Sequence, residues 1–325
     1  MQTEHAELIA VMEIAPERAE ALREKYHAKH AYTTAKELLA DSEIEAVYIA
    51  SPVCFHADQI RQAADAGKHI LIEKPLAMNS KEGEEILAYC KEKNVRIAVG
   101  FNMRFGTYIQ EMKKKIEQGE IGQVVSALVQ LTCWYPDMPG NWRQEKKQGG
   151  GGALMDMGVH CIDLIQYITG SKVKKVAAFN DTLTFKYQVE DSSMVMMQLE
   201  NGTQCLVQTN FNIPDEAAKW RLEFYGTKGR MFGESIIGQD DCGRIDGLYN
   251  IENQGYSAIQ HTREEKGENE EVEFGDKYAR EIESFSCSIL EGTPLEVPGE
   301  DAVYVQKIIE AAYQSNEENR IIEIR

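Results

Sequence analysis

The sequence predicts two domains: an α/β domain with a parallel sheet, then an α+β domain with a large, mostly antiparallel sheet. Three observations predict this fold class. In the first hundred residues, short apolar runs alternate with helical segments, as they do in βαβ units. In the second half, strand-like runs follow one another with few helices between them. A length of 325 residues is enough for two domains of ordinary size.

The elements of the first domain follow from apolar runs, helix caps and chain breakers. Strands are predicted over residues 7–13, 46–50, 70–73 and 96–100. Helices are predicted over residues 17–25 and 56–66, and after two capping boxes, Thr34 with Glu37 and Asn79 with Glu82. Pro75 stops the third strand, because proline cannot donate to a sheet ladder.

Several polar residues are predicted at one edge of the parallel sheet. Right-handed crossovers place the carboxyl ends of all strands on the same side, where open α/β sheets bind their ligands. The residues at these ends are Glu13, Ser51, Glu73, Lys74 and Asn102. This is the layout of a nucleotide-binding, Rossmann-like domain, which we assign to residues 1–102. A strand-end lysine taken alone is more often simply solvated. A functional role for Lys74 is therefore supported only by other features of the chain.

One part of such a domain is missing from the sequence. The acid that holds the ribose hydroxyls follows the Gly-rich turn by roughly 20 residues. If Glu13 is that acid, the first strand and its turn would precede Met1, and the glycine cluster at 149–152 is too distant to replace them. Three explanations stay open: truncation relative to related chains, a misassigned start, or weak cofactor binding. We expect the missing strand to leave an unpaired sheet edge.

The second domain is assigned to residues 103–325. It is predicted to open with a helix over residues 107–118 and to continue with strands over 124–133, 194–199, 203–207 and 220–225. Asn201-Gly202 between two of these strands indicates a hairpin. Residues 238–274 are polar and acidic, and we predict a solvated loop there. Helices over 277–290 and 300–312 and a short strand over 321–324 are predicted to close the domain.

The bulk properties exclude several classes of function. Hydrophobic residues make up 43% and charged residues 27% of the chain, which is an ordinary globular composition. A formal net charge of -18 argues against nucleic acid or an anionic membrane as partner. No apolar run approaches a membrane span, and no signal peptide is evident. Seven scattered cysteines without C-x-x-C spacing indicate reduced thiols and a cytoplasmic protein.

The residues best suited to chemistry follow the glycine cluster at 149–152. Glycines there would let the backbone approach a ligand closely. Asp156 and His160 are four residues apart, so they share one face of the predicted helix, and Asp163 lies near the same stripe. A carboxylate beside a histidine fixes its tautomer and raises its basicity, as a general acid/base requires. The alternative is an ordinary pair on a solvated helix. No third strong ligand is spaced to complete a metal site, so none is predicted.

Eight segments in order along the chain carry a resemblance to a known family. They are Ile49-Ala50-Ser51-Pro52 with His56, Glu73-Lys74-Pro75, Gly100 to Phe105, Trp142-Arg143, Gly150 to Ala153, Asp156 to His160, Glu190-Asp191 and Tyr225 to Gly229. Taken together, these segments resemble the glucose–fructose oxidoreductase / inositol dehydrogenase (Gfo/Idh/MocA) family. The resemblance spans nearly the whole chain, but it specifies no single substrate. The sequence departs from the family pattern in lacking the first strand and the Gly-rich turn.

The resemblance implies an NAD(P)-dependent dehydrogenase or reductase that acts on CH-OH groups of a sugar, sugar derivative or cyclitol. Lys74 matches the lysine that contacts the reacting hydroxyl, His160 matches the acid/base, and Asp156 matches its partner, which acts either on the substrate or on the histidine. Whether Lys74 or His160 takes the proton stays open. Arg104 is a further candidate for substrate binding. The Lys74–Pro75 bond is expected to be cis.

The resemblance also implies a set of cofactor-binding residues and a preference for NAD. Glu13 matches the acid that binds the ribose, and a carboxylate there favours NAD over NADP by repelling the extra phosphate. A strand-end glutamate without this role is the alternative. The full set is Glu13, Ser51, Pro52, His56, Glu73, Lys74, Asn102, Trp142 and Arg143.

Three alternative functions therefore stay open. The first is a dehydrogenase that releases NADH. The second is an enzyme of the same fold that retains NAD and cleaves or eliminates at an oxidised sugar. The third is a non-catalytic sugar-binding subunit that has lost the cofactor. A homodimer or homotetramer through the second-domain sheet is expected, because the strand around Met194 and Met196 is apolar on both faces.

Overall fold

The structure is a computed structural model that describes residues 3–252, 255–256, 267–269 and 271–325. The chain divides into two compact units. The first comprises Met1–Phe101, Lys147–Gly150 and Tyr278–Tyr304, and the second comprises Asn102–Lys146, Gly151–Lys277 and Val305–Arg325. No helix in the described part of the chain has both the length and the apolarity that crossing a bilayer requires.

The first unit contains two separate parallel sheets. Strands β1 (Ala10–Met12) and β2 (His30–Tyr32) form one, and β3 (Ala46–Ile49), β4 (His69–Glu73) and β5 (Ile97–Gly100) form the other, in that order. The predicted α/β class with parallel strands is confirmed. The first predicted strand is shorter than expected, because β2, its neighbour, pairs with only three of its residues.

The two sheets of this unit are not hydrogen-bonded to each other in the described residues. Within the part of the chain that the structure describes, β1 and β3 therefore each have an edge without a paired neighbour, as the sequence predicted. Their side chains are mostly half-buried, whereas every residue of β5 is buried. The most completely buried part of this unit therefore lies around β4 and β5.

The first four helices of this unit begin within one residue of their predicted starts. They are α1 (Pro16–Tyr26), α2 (Ala35–Ala40), α3 (His56–Asp65) and α4 (Ser80–Glu92). Thr34 and Asn79 accept the backbone N–H groups of Glu37 and Glu82, so both predicted caps are confirmed. The later helix α8 (Lys277–Leu290) adds Phe285, which packs with Leu71 and Ala98 in one apolar cluster.

The second unit is built on one nine-stranded sheet. Its strands are β6 (Val124–Thr132), β7 (Val173–Asp181), β8 (Ser192–Leu199), β9 (Gln204–Asn210), β10 (Arg221–Gly226), β11 (Gly229–Glu234), β12 (Arg244–Leu248), β13 (Glu268–Asn269) and β14 (Ile322–Glu323). The spatial order is β13-β12-β11-β10-β6-β9-β8-β7-β14. Every neighbouring pair is antiparallel except β6 with β9. The predicted mostly antiparallel sheet is confirmed.

Local signals and long-range pairing contribute differently to this sheet. The hairpin between β8 and β9 turns at the predicted Asn201-Gly202, where Gly202 has a φ of +93°. The predicted acidic loop over 238–274 is wrong in part, because β12 pairs with β11 and β13 pairs with β12. The acidic residues Glu264, Glu265 and Glu270 of that stretch lie outside the described residues.

Side chains along β8 alternate between a buried face of the sheet and an exposed one, which we call the open face. The remaining helices are α5 (Thr107–Glu117), α6 (Lys146–Gly149), α7 (Val159–Thr169) and α9 (Gly299–Glu318). The side chains of Val195, Met197 and Val207 lie on the buried face. Met194 and Met196 alternate with them along β8 and are exposed. This confirms that the strand is apolar on both faces.

Candidate active site

In the first unit, Lys74 follows the last residue of β4 at the carboxyl edge of the parallel sheet. The register pairs Ile49 with Ile72 and Glu73 with Gly100, so the three strands end together. Both Glu73 and Lys74 are half-buried. The Lys74–Pro75 peptide bond is cis, which confirms the expectation. The lysine is therefore carried by a regular element at the edge where such sheets bind ligands.

The carboxylate of Glu73 joins two strands at this edge. It accepts a hydrogen bond from the hydroxyl of Tyr48 on β3 and a 3.2 Å hydrogen bond from the backbone N–H of Lys74. Burial and the charge of Glu73 raise the pKa of Tyr48 far above its ordinary value. Tyr48 therefore acts as a neutral donor that fixes the carboxylate beside Lys74.

His56 begins α3 and is almost completely buried. Its Nε2 lies 2.9 Å from the carbonyl oxygen of Ser51, and its Nδ1 lies 3.0 Å from that of Pro75. Burial lowers the pKa of His56, although both carbonyls oppose the shift. The ring thus connects the loops that follow β3 and β4. This contact favours a positioning role for His56, and direct cofactor contact stays a prediction.

The other predicted cofactor residues of the first unit are half-buried. Ser51 donates its hydroxyl to Gln59 at 2.5 Å, and Pro52 precedes the short helical turn that leads into α3. Glu13 follows β1, and its carboxylate lies 3.3 Å from the guanidinium of Arg18. An acid and an arginine therefore stand together where the ribose-binding acid is predicted.

In the second unit, Asp156 and His160 lie on one continuous helical segment, as the sequence predicted. The segment is not a regular α-helix, because residues Leu154–Gly158 form a π-helical turn that leads into α7. Such turns widen a helix locally and occur frequently at functional sites. Asp156 is half-buried and His160 is buried. The π turn changes their angular offset from the one that regular α-helical spacing predicts.

Asp156 forms an ion pair with Arg143 in the same unit. The Nε of Arg143 lies 3.6 Å from the Asp156 carboxylate, and the side chains are 42% and 30% exposed. The guanidinium also stacks 4.3 Å from the ring centre of Trp142. The structure thus brings three predicted residues together, Trp142 and Arg143 from a short helical turn and Asp156 from the π turn.

Two residues that sequence reasoning missed lie in the electrostatic field of this pair. Burial, with smaller contributions from the Asp156 and Asp215 carboxylates, raises the pKa of the Cys133 thiol to about 12. Burial also raises the pKa of Tyr135, while the nearby Arg143 lowers it. Both residues follow β6 in an irregular stretch, and no motif in the sequence marks them.

Arg104 is held in a buried ion pair with Asp163 of α7. Its Nε and a terminal nitrogen donate to the two carboxylate oxygens at 2.9 and 2.5 Å. The side chains are only 5% and 2% exposed, and the guanidinium lies over the ring of Tyr167. Asn102 is also buried, two residues before Arg104. Substrate contact by Arg104 and cofactor contact by Asn102 stay predictions.

Gly151 and Gly152 of the glycine cluster pack against protein atoms. A Cβ on Gly152 would lie 1.9 Å from the carbonyl oxygen of Glu190, and one on Gly151 would lie 2.0 Å from the hydroxyl of Tyr313. The buried Glu190 carboxylate accepts the backbone N–H groups of Gly152 and Leu154, each at 3.0 Å, and the Tyr313 hydroxyl at 2.8 Å. These glycines therefore let Glu190 hold the start of the segment that carries Asp156.

Two family models match this chain. The model described as "Oxidoreductase family, NAD-binding Rossmann fold" matches residues 1–101, and the one described as "GFO/IDH/MocA C-terminal domain" matches residues 109–232. Together they cover both the parallel-sheet region and most of the nine-stranded sheet. The predicted family is confirmed by both halves of the chain.

Individual relatives agree with the family models. An uncharacterized oxidoreductase, YrbE, of Bacillus subtilis is 31% identical over 229 residues, which are 69% of this chain and 65% of that protein. Myo-inositol 2-dehydrogenase of Thermotoga maritima is 26% identical over 326 residues, 98% of this chain and 91% of that protein. The crystal structure of aldose-aldose oxidoreductase from Caulobacter crescentus superposes with a TM-score of 0.86, at 23% identity, over 99% of this chain and 92% of that one. This chain belongs to the Gfo/Idh/MocA family of oxidoreductases and is an NAD(P)-dependent dehydrogenase or reductase.

Proposed function

We propose that this protein transfers a hydride between NAD and a hydroxyl-bearing carbon of a sugar, sugar derivative or cyclitol. Residues 1–102 bind the dinucleotide, and residues 103–325 bind substrate and form the contacts between subunits. The likeness to an inositol dehydrogenase over nearly the full chain supports this substrate class. All seven cysteines are free thiols, which fits a cytoplasmic enzyme.

The observation that carries the proposal is the position of Lys74. It is a half-buried cation at the carboxyl edge of β4, level with the ends of β3 and β5. The residues at this edge suit the nicotinamide end of a dinucleotide, which supplies the hydride acceptor when bound. No G-x-G-x-x-G segment occurs in the 325 residues to cradle the phosphates. Measured cofactor affinity is therefore the first test.

The proposed roles follow from the chemistry of alcohol oxidation. The ammonium of Lys74 contacts the reacting hydroxyl and stabilises its alkoxide character. His160 exchanges the hydroxyl proton as general acid/base. Asp156, which is held by Arg143 at 3.6 Å, binds a neighbouring substrate hydroxyl or orients His160. Arg104 contributes to substrate binding, and its bonds to Asp163 keep it oriented.

We propose NAD as the preferred cofactor because of Glu13. A carboxylate after the first strand hydrogen-bonds ribose hydroxyls and repels a 2′-phosphate. Arg18 lies 3.3 Å away and partly neutralises this charge. The preference for NAD over NADP should therefore be moderate, and Glu13→Gln should reduce it.

We propose that two subunits associate through the open face of the nine-stranded sheet. Strand register places Phe179, Met194, Met196, Leu206 and Leu128 on this face. Phe179 and Met196 are 70% and 52% exposed. Apolar area of this kind on a sheet usually marks an interface, and a homodimer or homotetramer would cover it.

The test combines binding and turnover. Calorimetric titration with NAD and with NADP is followed by a screen of sugars and cyclitols for NADH formation. We expect NAD to bind more tightly than NADP and one or more polyols to reduce it. Lys74→Met should abolish turnover while NAD still binds, whereas the exposed Lys81→Met on α4 should leave both unchanged. Absence of binding for both dinucleotides would refute the proposal, and so would full turnover in Lys74→Met.

A further inference from the structure

Three side chains with metal-binding atoms meet on the surface of the first unit, outside the residues discussed so far. His5 comes from the segment before β1, and Glu283 and Cys287 come from α8. His5 Nδ1 is hydrogen-bonded to Glu283 and lies 3.8 Å from Cys287 Sγ, which is 4.0 Å from Glu283 Oε1. All three donor atoms lie within 4.8 Å of one another.

The backbone fixes this arrangement from both sides. Glu283 and Cys287 are four residues apart on α8, so the helix presents both side chains on one face. The N–H groups of Glu4 and His5 donate to Glu283 Oε2 at 3.0 and 3.2 Å. These bonds hold the segment against the helix, so the imidazole reaches the thiol without depending on the side-chain ion pair alone.

We propose that His5, Glu283 and Cys287 form a three-ligand site for a zinc ion, with water as the fourth ligand. Imidazole nitrogen, carboxylate oxygen and thiolate sulfur are the three donor types that zinc accepts, at about 2.0–2.3 Å each. Tetrahedral angles at those lengths separate the donor atoms by about 3.3–3.6 Å. The two sulfur distances are within a few tenths of an ångström of this range.

Only the contact between His5 and Glu283 must open for the ion to enter. The cation displaces two protons to solvent, the one in the hydrogen bond between these two atoms and that of the Cys287 thiol, which donates to Glu283. Both side chains can move, because the imidazole is 39% exposed and the carboxylate 28% exposed. Glu4 and Glu291 add negative charge around the imidazole, which attracts a cation.

The alternative to a zinc site is an ordinary surface ion pair between His5 and Glu283, in which the Cys287 thiol has no part. The test therefore asks whether a bound metal ion is coordinated by the thiolate. The purified full chain, with any tag removed and metals stripped by a chelator, is titrated with Co²⁺ and then with Zn²⁺. We expect one equivalent of Co²⁺ to produce a thiolate-to-cobalt charge-transfer band, which one equivalent of Zn²⁺ removes. Co²⁺ serves as the spectroscopic stand-in because it accepts the same donor set.

Variants assign the band to this cluster. Cys287→Ser should abolish the band, and His5→Gln should weaken zinc binding by at least roughly 100-fold, since even outer-shell changes cost 10–100-fold. Cys242→Ser, which removes an exposed thiol in the second unit, should change neither. Circular dichroism of each metal-free variant checks that it folds. Binding without a thiolate band, or a band that persists in Cys287→Ser, would overturn the proposal. The readout is independent of turnover and of cofactor binding.

Discussion

Gly152 offers the sharpest test of how the segment before Asp156 is held. Alanine at this position would place its Cβ 1.9 Å from the carbonyl oxygen of Glu190, which is backbone. To reach ordinary van der Waals contact, the two buried backbone segments would have to move apart by about 1.5 Å, and such overpacking costs about 1–3 kcal/mol. The same movement would stretch the hydrogen bonds from Gly152 and Ala153 to Glu190, at about 0.5–1.5 kcal/mol each. Gly152→Ala should therefore lose about 2–6 kcal/mol of unfolding free energy.

The assay is urea unfolding followed by circular dichroism, with Gly140→Ala as the matched control. Gly140 has a φ of +80° with open space around it, so alanine there reports backbone strain alone, about 1 kcal/mol. If Gly152→Ala were as stable as Gly140→Ala but lost ligand binding, the glycine would serve close approach to a ligand instead. That result would refute the packing explanation.

Three further predictions test other parts of the second unit. Arg104→Met and Asp163→Leu should each lower the unfolding free energy in urea by about 3–5 kcal/mol, because each leaves a buried charge without its partner. The double variant should lose far less than the sum of the two, and strictly additive losses would contradict this explanation. Met196→Glu should reduce the particle mass in light scattering after size exclusion, whereas Leu183→Glu, which is more exposed but lies outside the strands, should not. Burial raises the pKa of Glu190 above its ordinary value of 4.5, so its stabilising contribution is complete below that pH and is lost as pH rises through the folded-state pKa. The unfolding free energy of wild type minus that of Glu190→Gln should therefore fall as pH rises above 4.5, and a rise would show that the donors on the carboxylate outweigh its burial.

The parts of the fold that sequence predicted are those coded by neighbouring residues. The caps at Thr34 and Asn79 and the turn at Asn201-Gly202 need only a few residues, and all three formed as predicted. Strand β2 was not predicted, because its three residues show no periodicity and are defined by pairing with β1. Strand β12 was missed for the same reason, since its polar sequence becomes a strand through its register with β11.

The candidate site shows the same limit more strongly. Spacing placed Asp156 and His160 on one helix, but it could not indicate the π turn between them or the ion pair with Arg143. Asp163 was grouped with these residues by its position on the helix, yet its partner is Arg104, 59 residues earlier. The glycine cluster was predicted to let the backbone approach a ligand, and this stays a prediction, because the close approach seen at Gly152 is to protein atoms. Its contact, Glu190, lies 38 residues further along, and no local rule connects them.

Two ion pairs of the second unit differ in how much free energy a bound substrate would need to break them. Arg143 and Asp156 are partly exposed, and such a pair contributes at most about 1 kcal/mol, so a ligand hydroxyl could replace part of it at little cost. The pair of Arg104 and Asp163 is buried, and separating it would cost about 3–5 kcal/mol. Substrate contact by Arg104 would therefore have to leave its bonds to Asp163 intact. Binding energy is more readily gained at Asp156, whereas Arg104 and Glu190 hold the segments around it in position.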